Sequence, residues 1–167
     1  MDPTLATLAP VAFGNAYHLG HVVPDLHAAM ESLGRQLQIE WATPFEMDSG
    51  FTLADGTPDS DRVRIAFSTT GPPYLEIIEV VPRAGSIFAE PADGGFHHLG
   101  VYAERWREET ARLAGEGCEV ERLGAGVAFV RDPRTGVRIE VVSIKGRDFL
   151  TSILSGELGR MNPLGNR

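Results

Sequence analysis

Four residues of this chain could do chemistry together: His18, Glu76, His98 and Glu140. Each sits in a short apolar run, "YHLG", "LEII", "HHLG" and "IEVV". Side chains alternate across a strand, so a polar residue between apolar neighbours points away from them. An ionised Glu in a buried strand is costly unless it is paired or bound to a metal. Two imidazoles and two carboxylates that share one place make a site for one divalent cation. Such nitrogen and oxygen donors suit zinc, nickel, cobalt, manganese or iron.

The spacing argues that they do share one place. His18-Leu19-Gly20 lies 80 positions before His98-Leu99-Gly100. The same offset brings Leu26 onto Trp106 and Leu33 onto Leu113. Leu75-Glu76-Ile77-Ile78 lies 64 positions before Ile139-Glu140-Val141-Val142. The chain is thus an internal repeat, and each half supplies one His early and one Glu late. If a pseudo-twofold axis relates the halves, the four residues converge. His21 and His97 lie an odd number of residues from His18 and His98, so a regular strand turns them away. Both are set aside as non-ligands. Glu79 follows Glu76 by three and reads as a strand-end surface residue.

The elements that must position these residues can be read along the chain. "YHLGHVV" is a strand, closed by Pro24. Asp25 is a good N-cap for a helix carrying Leu26, Ala29, Met30, Leu33 and Leu37 at helical spacing. "IEWATPF" starts another strand. "EMDSGFTLADGTPDSD" is rich in Gly, Asp and Ser and reads as a long exposed loop. "RVRIAFST" alternates, with Val63, Ile65 and Phe67 on one face and Arg64 and Ala66 on the other. "YLEIIEVV" is the next strand. The second half repeats the order with "HHLGVYA", the helix "ERWREETARLAGEG", and the strands "EVERLG", "VAFVRD" and "RIEVVSI". Each half is a βαβββ module, and the fold class is α+β. The boundaries expected are a mobile N-terminal arm 1–15, a first module 16–82, a linker 83–95, a second module 96–145 and a C-terminal helix and tail 146–167. In the tail, Phe149, Ile153, Leu154 and Leu158 recur at helical spacing. Such a helix can pack on the domain, meet a second subunit or cover the site.

Bulk properties narrow the function. The 167 residues, 43% of them apolar, suffice for one core. Fifteen Lys and Arg are scattered through a chain of net charge −8, which disfavours nucleic acid and anionic membranes as partners. No apolar run reaches the roughly 18 residues of a membrane helix. The N-terminus does not read as a secretion signal, and the single Cys118 excludes an intrachain disulfide. A cytoplasmic protein is expected.

The runs "HLGHVVPDLHAAM", "YLEIIEVV", "GGFHHLGVYAERW" and "VRDPRTGVRIEVV" together resemble the vicinal oxygen chelate superfamily. That superfamily includes glyoxalase I, methylmalonyl-CoA epimerase, extradiol dioxygenases and drug-resistance proteins. The resemblance covers residues 16–145 and is closest in look to the epimerase and glyoxalase I. It implies two tandem modules curled into a cup-shaped mixed sheet around one divalent metal, held at His18, Glu76, His98 and Glu140. It also implies a chemistry in which the metal binds substrate oxygens, acidifies a carbon-bound proton and stabilises the enediolate or enolate. Glu140 or Glu76 would move the proton. Arg64 stands where the epimerase has an extra acid, and is suited to holding a carboxylate or enolate oxygen. Phe67 and Phe129 are candidates to line the substrate pocket. The expectation is a metal-dependent isomerase or lyase acting on a small molecule, assembled as a homodimer. The modules could pair within one chain or swap between two. The alternatives are a non-catalytic drug- or metabolite-binding protein and an iron-dependent ring-cleaving dioxygenase.

Overall fold

The computed structural model describes residues 13–81, 85–91 and 93–156. Within them the chain runs through two βαβββ sets. The first is β1 (Ala16–Val22), α1 (Leu26–Leu37), β2 (Phe45–Thr52), β3 (Pro58–Phe67) and β4 (Tyr74–Val80). The second is β5 (Gly95–Tyr102), α2 (Trp106–Gly115), β6 (Glu119–Gly124), β7 (Val127–Arg131) and β8 (Arg138–Val142), followed by α3 (Ile144–Leu154). The eight strands close into a barrel in the order β1-β4-β3-β2-β6-β7-β8-β5.

The two sets are joined by two seams. At one, β1 and β5 run antiparallel, with β4 parallel to β1 and β8 parallel to β5 on the outer sides. At the other, β2 and β6 meet only through Phe51↔Gly124 and Thr52↔Leu123.

Strand alternation sends one set of side chains into the barrel and the other under the helices. Phe45, Ile65, Phe67, Ile78, Phe129 and Val142 form the inner cluster. Outside, Leu26, Ala29, Met30 and Leu33 of α1 pack on Ala66 and Ile77. Trp106 and Leu113 of α2 pack on Val101, Val130 and Val141. Burying such a side chain contributes roughly 1.5–3 kcal/mol. The start of α1 is fixed twice. Asp25 accepts from Ala28 N at 2.9 Å, and Glu79 accepts from Leu26 N at 2.9 Å. Glu79 is therefore half-buried and engaged rather than a loose surface carboxylate. Leu37 lies off the packed stripe, 63% exposed.

The segment expected to be a loop is mostly a hairpin. β2 pairs with β3 in unbroken register from Phe45↔Ile65 to Thr52↔Pro58, and only residues 53–57 turn. Gly56 supplies the positive φ of 87° in that turn. The polar residues of β2 reflect its shallow burial, not absence of pairing. In "IEWATPF" the strand begins only at Phe45, and Trp41 makes an isolated bridge with Ser68.

After β8 the chain turns into α3, which brings Phe149, Leu150 and Ile153 onto the mouth of the barrel. Leu158 and residues 1–12 of the expected arm lie outside the described residues. No helix among those described is long and apolar enough to cross a membrane.

Candidate metal centre and its cavity

The β1–β5 ladder sets the geometry. His18 faces Gly100 across it, and Gly20 faces His98. A Cβ on Gly20 would overlap the His98 ring, and a Cβ on Gly100 would overlap the His18 ring. The Gly of each His-Leu-Gly thus makes room for the other half's imidazole. The rows extend outward by register. Phe67, Glu76, Gly20 and His98 are successive neighbours across β3, β4, β1 and β5. Phe129, Glu140, Gly100 and His18 repeat the row across β7, β8, β5 and β1.

The rows bring the four expected residues together inside one chain. His18 Nε2 lies 2.7 Å from His98 Nε2. Glu76 Oε2 lies 3.2 Å from both nitrogens. Glu140 Oε2 lies 3.1 Å from His18 Nε2 and 3.6 Å from His98 Nε2. His18, Glu76 and His98 offer one ligand atom each, all within 4.8 Å of one another. Both imidazoles are 1% exposed. Two nitrogens and two carboxylate oxygens converging in a buried place fit a divalent cation of borderline preference.

Electrostatics agree with that fit. Burial alone would lower the His18 pKa, but Glu76 and Glu140 overcome it and push it up to about 9. His98 is raised by the same two carboxylates against the same burial. Burial would raise the carboxyls, yet the imidazoles hold Glu76 and Glu140 below the usual carboxylate range. The cluster therefore asks for positive charge at its centre, from protons or from a metal.

Two β-bulges add neighbours that strict alternation does not anticipate. Tyr17 is the extra residue between His18↔Gly100 and Ala16↔Val101, and His97 is the extra residue between Gly20↔His98 and His21↔Phe96. A bulge re-aims a side chain. His97 is buried, its Nδ1 2.8 Å from His98 Nδ1 and its Nε2 2.9 Å from Ile87 O. A carbonyl only accepts, so His97 Nε2 donates. Burial, the charge of His98 and that of Arg138 lower the His97 pKa to about 3, so the ring is neutral and its Nδ1 accepts. His98 Nδ1 must then donate, which leaves its Nε2 lone pair for the centre. Tyr17, the equivalent of His97 in the first half, stacks on Tyr102 at 3.7 Å. Its phenol pKa is raised well above normal by burial and by the charge of Glu140. His18 Nδ1 is buried without a hydrogen-bond partner among the described residues. The signal for His97 was present in "HHLG", but the bulge that makes it a neighbour is a property of the ladder.

The cluster forms the floor of a cavity of 480 Å3. Phe67 and Phe129 line it, as do Phe45, Phe51 and Val142. Arg64 does not. Its face is the one opposite Phe67, and its guanidinium bonds Glu79 at 2.6 Å and Glu46 at 3.1 Å outside the barrel. A role for Arg64 in holding substrate is set aside on that ground. His21 is half-buried and pairs with Ile77 and Phe96 away from the cluster.

Comparisons with known proteins agree with this architecture. No curated protein matches the chain by sequence. Among solved structures, a methylmalonyl-CoA epimerase from Mycobacterium tuberculosis is similar, with 20% identity, 83% of this chain and 93% of that chain covered, and a TM-score of 0.56. A hypothetical protein from Bacillus halodurans is 21% identical over 77% of this chain and 92% of its own, with a TM-score of 0.54. A Streptomyces coelicolor methylmalonyl-CoA epimerase in complex with 2-nitronate-propionyl-CoA is 16% identical over 77% and 96%, with a TM-score of 0.51. At these identities the likeness is one of fold. A family model matches residues 17–136. The chain belongs to the glyoxalase/bleomycin resistance protein/dioxygenase superfamily.

Proposed function

We propose that the chain is a metal-dependent isomerase or lyase that removes a proton from a carbon next to a carbonyl of a small organic substrate. The observation that carries this reading is the convergence of two imidazole nitrogens and two carboxylate oxygens at the floor of an apolar cavity. His18, Glu76, His98 and Glu140 would hold a divalent cation. When bound, the cation supplies positive charge beside a substrate oxygen and so makes the adjacent C–H more acidic.

Glu140 is the carboxylate we assign to the proton. It stands farther from His98 than Glu76 does, 3.6 Å against 3.2 Å. Its side chain is also the more open of the two, 17% against 10% exposed. Glu76 is the carboxylate that stays with the two imidazoles. Phe67 and Phe129, in line with the two Glu, hold the substrate body and exclude water. Tyr17, which lines the same cavity, places its ring edge-on against His18. The reading includes a cytoplasmic setting and a homodimer, which light scattering would check.

Protein purified without chelator or affinity-tag nickel should carry about one divalent ion per chain. None bound, with refilling by zinc, nickel, cobalt, manganese and iron also failing, sinks the reading. A panel of ketones and thioesters in deuterium oxide should then show exchange of one carbon-bound proton. A purely sequestering protein would exchange nothing, and a dioxygenase would consume oxygen with a catechol. Burial of two carboxylates argues against a binder, because ligand capture alone does not need them.

A further inference from the structure

The cavity lining carries a second polar feature. Ser143 is 8% exposed, lines the cavity, and its Oγ has no hydrogen-bond partner among the described residues. It stands at the N-cap of α3, yet its side chain makes no capping bond. A buried hydroxyl without a partner is costly unless something else satisfies it. The position is also kept clear on the opposite side. A Cβ on Gly126 would come within 2.7 Å of Ser143 Oγ. The first turn of α3 presents a positive dipole end there, and the exposed Lys145 stands at the rim. Hydroxyl, helix N-terminus and ammonium all favour an oxygen that accepts.

From these observations we propose that Ser143 and the start of α3 form a subsite for an acceptor oxygen at the end of the substrate remote from the four-donor cluster. The proposal rests on the metal-site reading above. Two residues, Val141 and Val142, lie between Glu140 and Ser143, whose backbones are about 10 Å apart if the chain is extended. That is roughly the span of one six-membered ring with an oxygen-bearing atom at each end. Aromatic and aliphatic side chains make up most of the cavity lining, Phe45, Phe67, Phe129 and Val142 among them. The class of substrate is therefore a compound with an apolar, ring-sized body, metal-binding oxygens at one end and one acceptor oxygen at the other. A long phosphorylated carrier such as coenzyme A finds no cluster of cations among the lining residues, of which Lys145 is the one Lys or Arg.

The test uses metal-loaded full-length protein and three hydroxamates, which chelate divalent metals through two oxygens. Acetohydroxamate offers the chelating group alone, benzohydroxamate adds the ring, and 4-hydroxybenzohydroxamate adds the distal oxygen. By calorimetric titration the ring should tighten binding about 30-fold, in line with burial of an aromatic ring. The distal oxygen should add about fivefold, the size of one hydrogen bond. Ser143→Ala should erase the second gain and leave benzohydroxamate within about twofold, which also shows that the variant is folded. The subsite is overturned if 4-hydroxybenzohydroxamate binds no better than benzohydroxamate to the unaltered protein. It is equally overturned if Ser143→Ala leaves the gain in place. Failure of the protein to take up any metal is a separate result, and it overturns the metal-site reading instead.

Discussion

Gly100 stands directly across the β1–β5 ladder from His18, in the space a side chain would need. Gly100→Ala should therefore push the His18 ring off the cluster without removing any donor. Metal affinity is expected to fall at least tenfold, and stability by about 1–3 kcal/mol from overpacking. Gly20→Ala should act on His98 in the same way. Metal titration beside thermal unfolding checks this, and unchanged metal affinity in both variants counts against the geometry.

His97 is expected to act as a positioning residue for His98. His97→Phe keeps a ring of similar size but removes the acceptor for His98 Nδ1. Loss of such an outer partner typically costs 10–100-fold in metal affinity. Nitrogen NMR should show His98 with its proton on Nδ1 in the metal-loaded protein. His97→Asn, whose side-chain oxygen can accept, should recover part of the affinity. A His97→Phe protein that binds metal normally would remove His97 from the site.

Glu140→Gln and Glu76→Gln should separate. Glu140→Gln should retain metal within about tenfold and lose proton exchange by 100-fold or more, the usual scale for a general base. Glu76→Gln should lose metal first. Metal content and deuterium wash-in on the same samples distinguish the two. The reverse pattern would assign the proton to Glu76.

The metal-free protein should lose stability as the pH rises. The pKa of His18 is up at about 9 in the folded chain, against 6.5 for an ordinary His. The folded state thus binds more protons between those values. The stabilisation is fully present below about pH 6.5 and disappears as the pH passes about 9, on the order of 3 kcal/mol. The groups facing His18 are Glu76, Glu140 and His98, and a bound cation would take the place of protons on the imidazoles. Unfolding of chelator-treated protein across this window should show the loss, and metal-loaded protein should not. A flat profile for the metal-free form would contradict the charge arrangement.

Arg64→Ala should leave metal and hydroxamate binding unchanged. Its two carboxylate partners are partly shielded, so a stability loss of about 1–2 kcal/mol is expected. A change in ligand affinity instead would place Arg64 within reach of the cavity.

Much of the site was legible in the sequence because a repeat doubles every signal. His18 and His98 share a tripeptide, and Glu76 and Glu140 share an apolar frame. Register then follows from a twofold arrangement. Arg64 shows where reading went too far. Its alternation with Phe67 already put the two on opposite faces, so only one of them could line the cavity. The β2 hairpin was hidden because Gly, Asp and Ser depress strand propensity, while eight register pairs with β3 override it. His97 was hidden for another reason. Parity along a strand holds only where pairing is regular, and the bulge breaks it one residue before His98. Ser143 was unreadable in sequence, since its idle hydroxyl depends on how α3 meets the barrel.

If the proposed proton transfer takes place, the two bulges have a stereochemical consequence. A cluster with perfect twofold symmetry would offer equivalent carboxylates to the two faces of a flat, deprotonated substrate. Protons could then return to either face with equal ease. Tyr17 and His97 occupy matching bulges but are chemically different, and each acts on the imidazole of its own half: Tyr17 packs edge-on against His18, while His97 hydrogen-bonds His98. The repeat thus builds a near-symmetric frame, and one pair of unlike residues makes its two faces distinguishable.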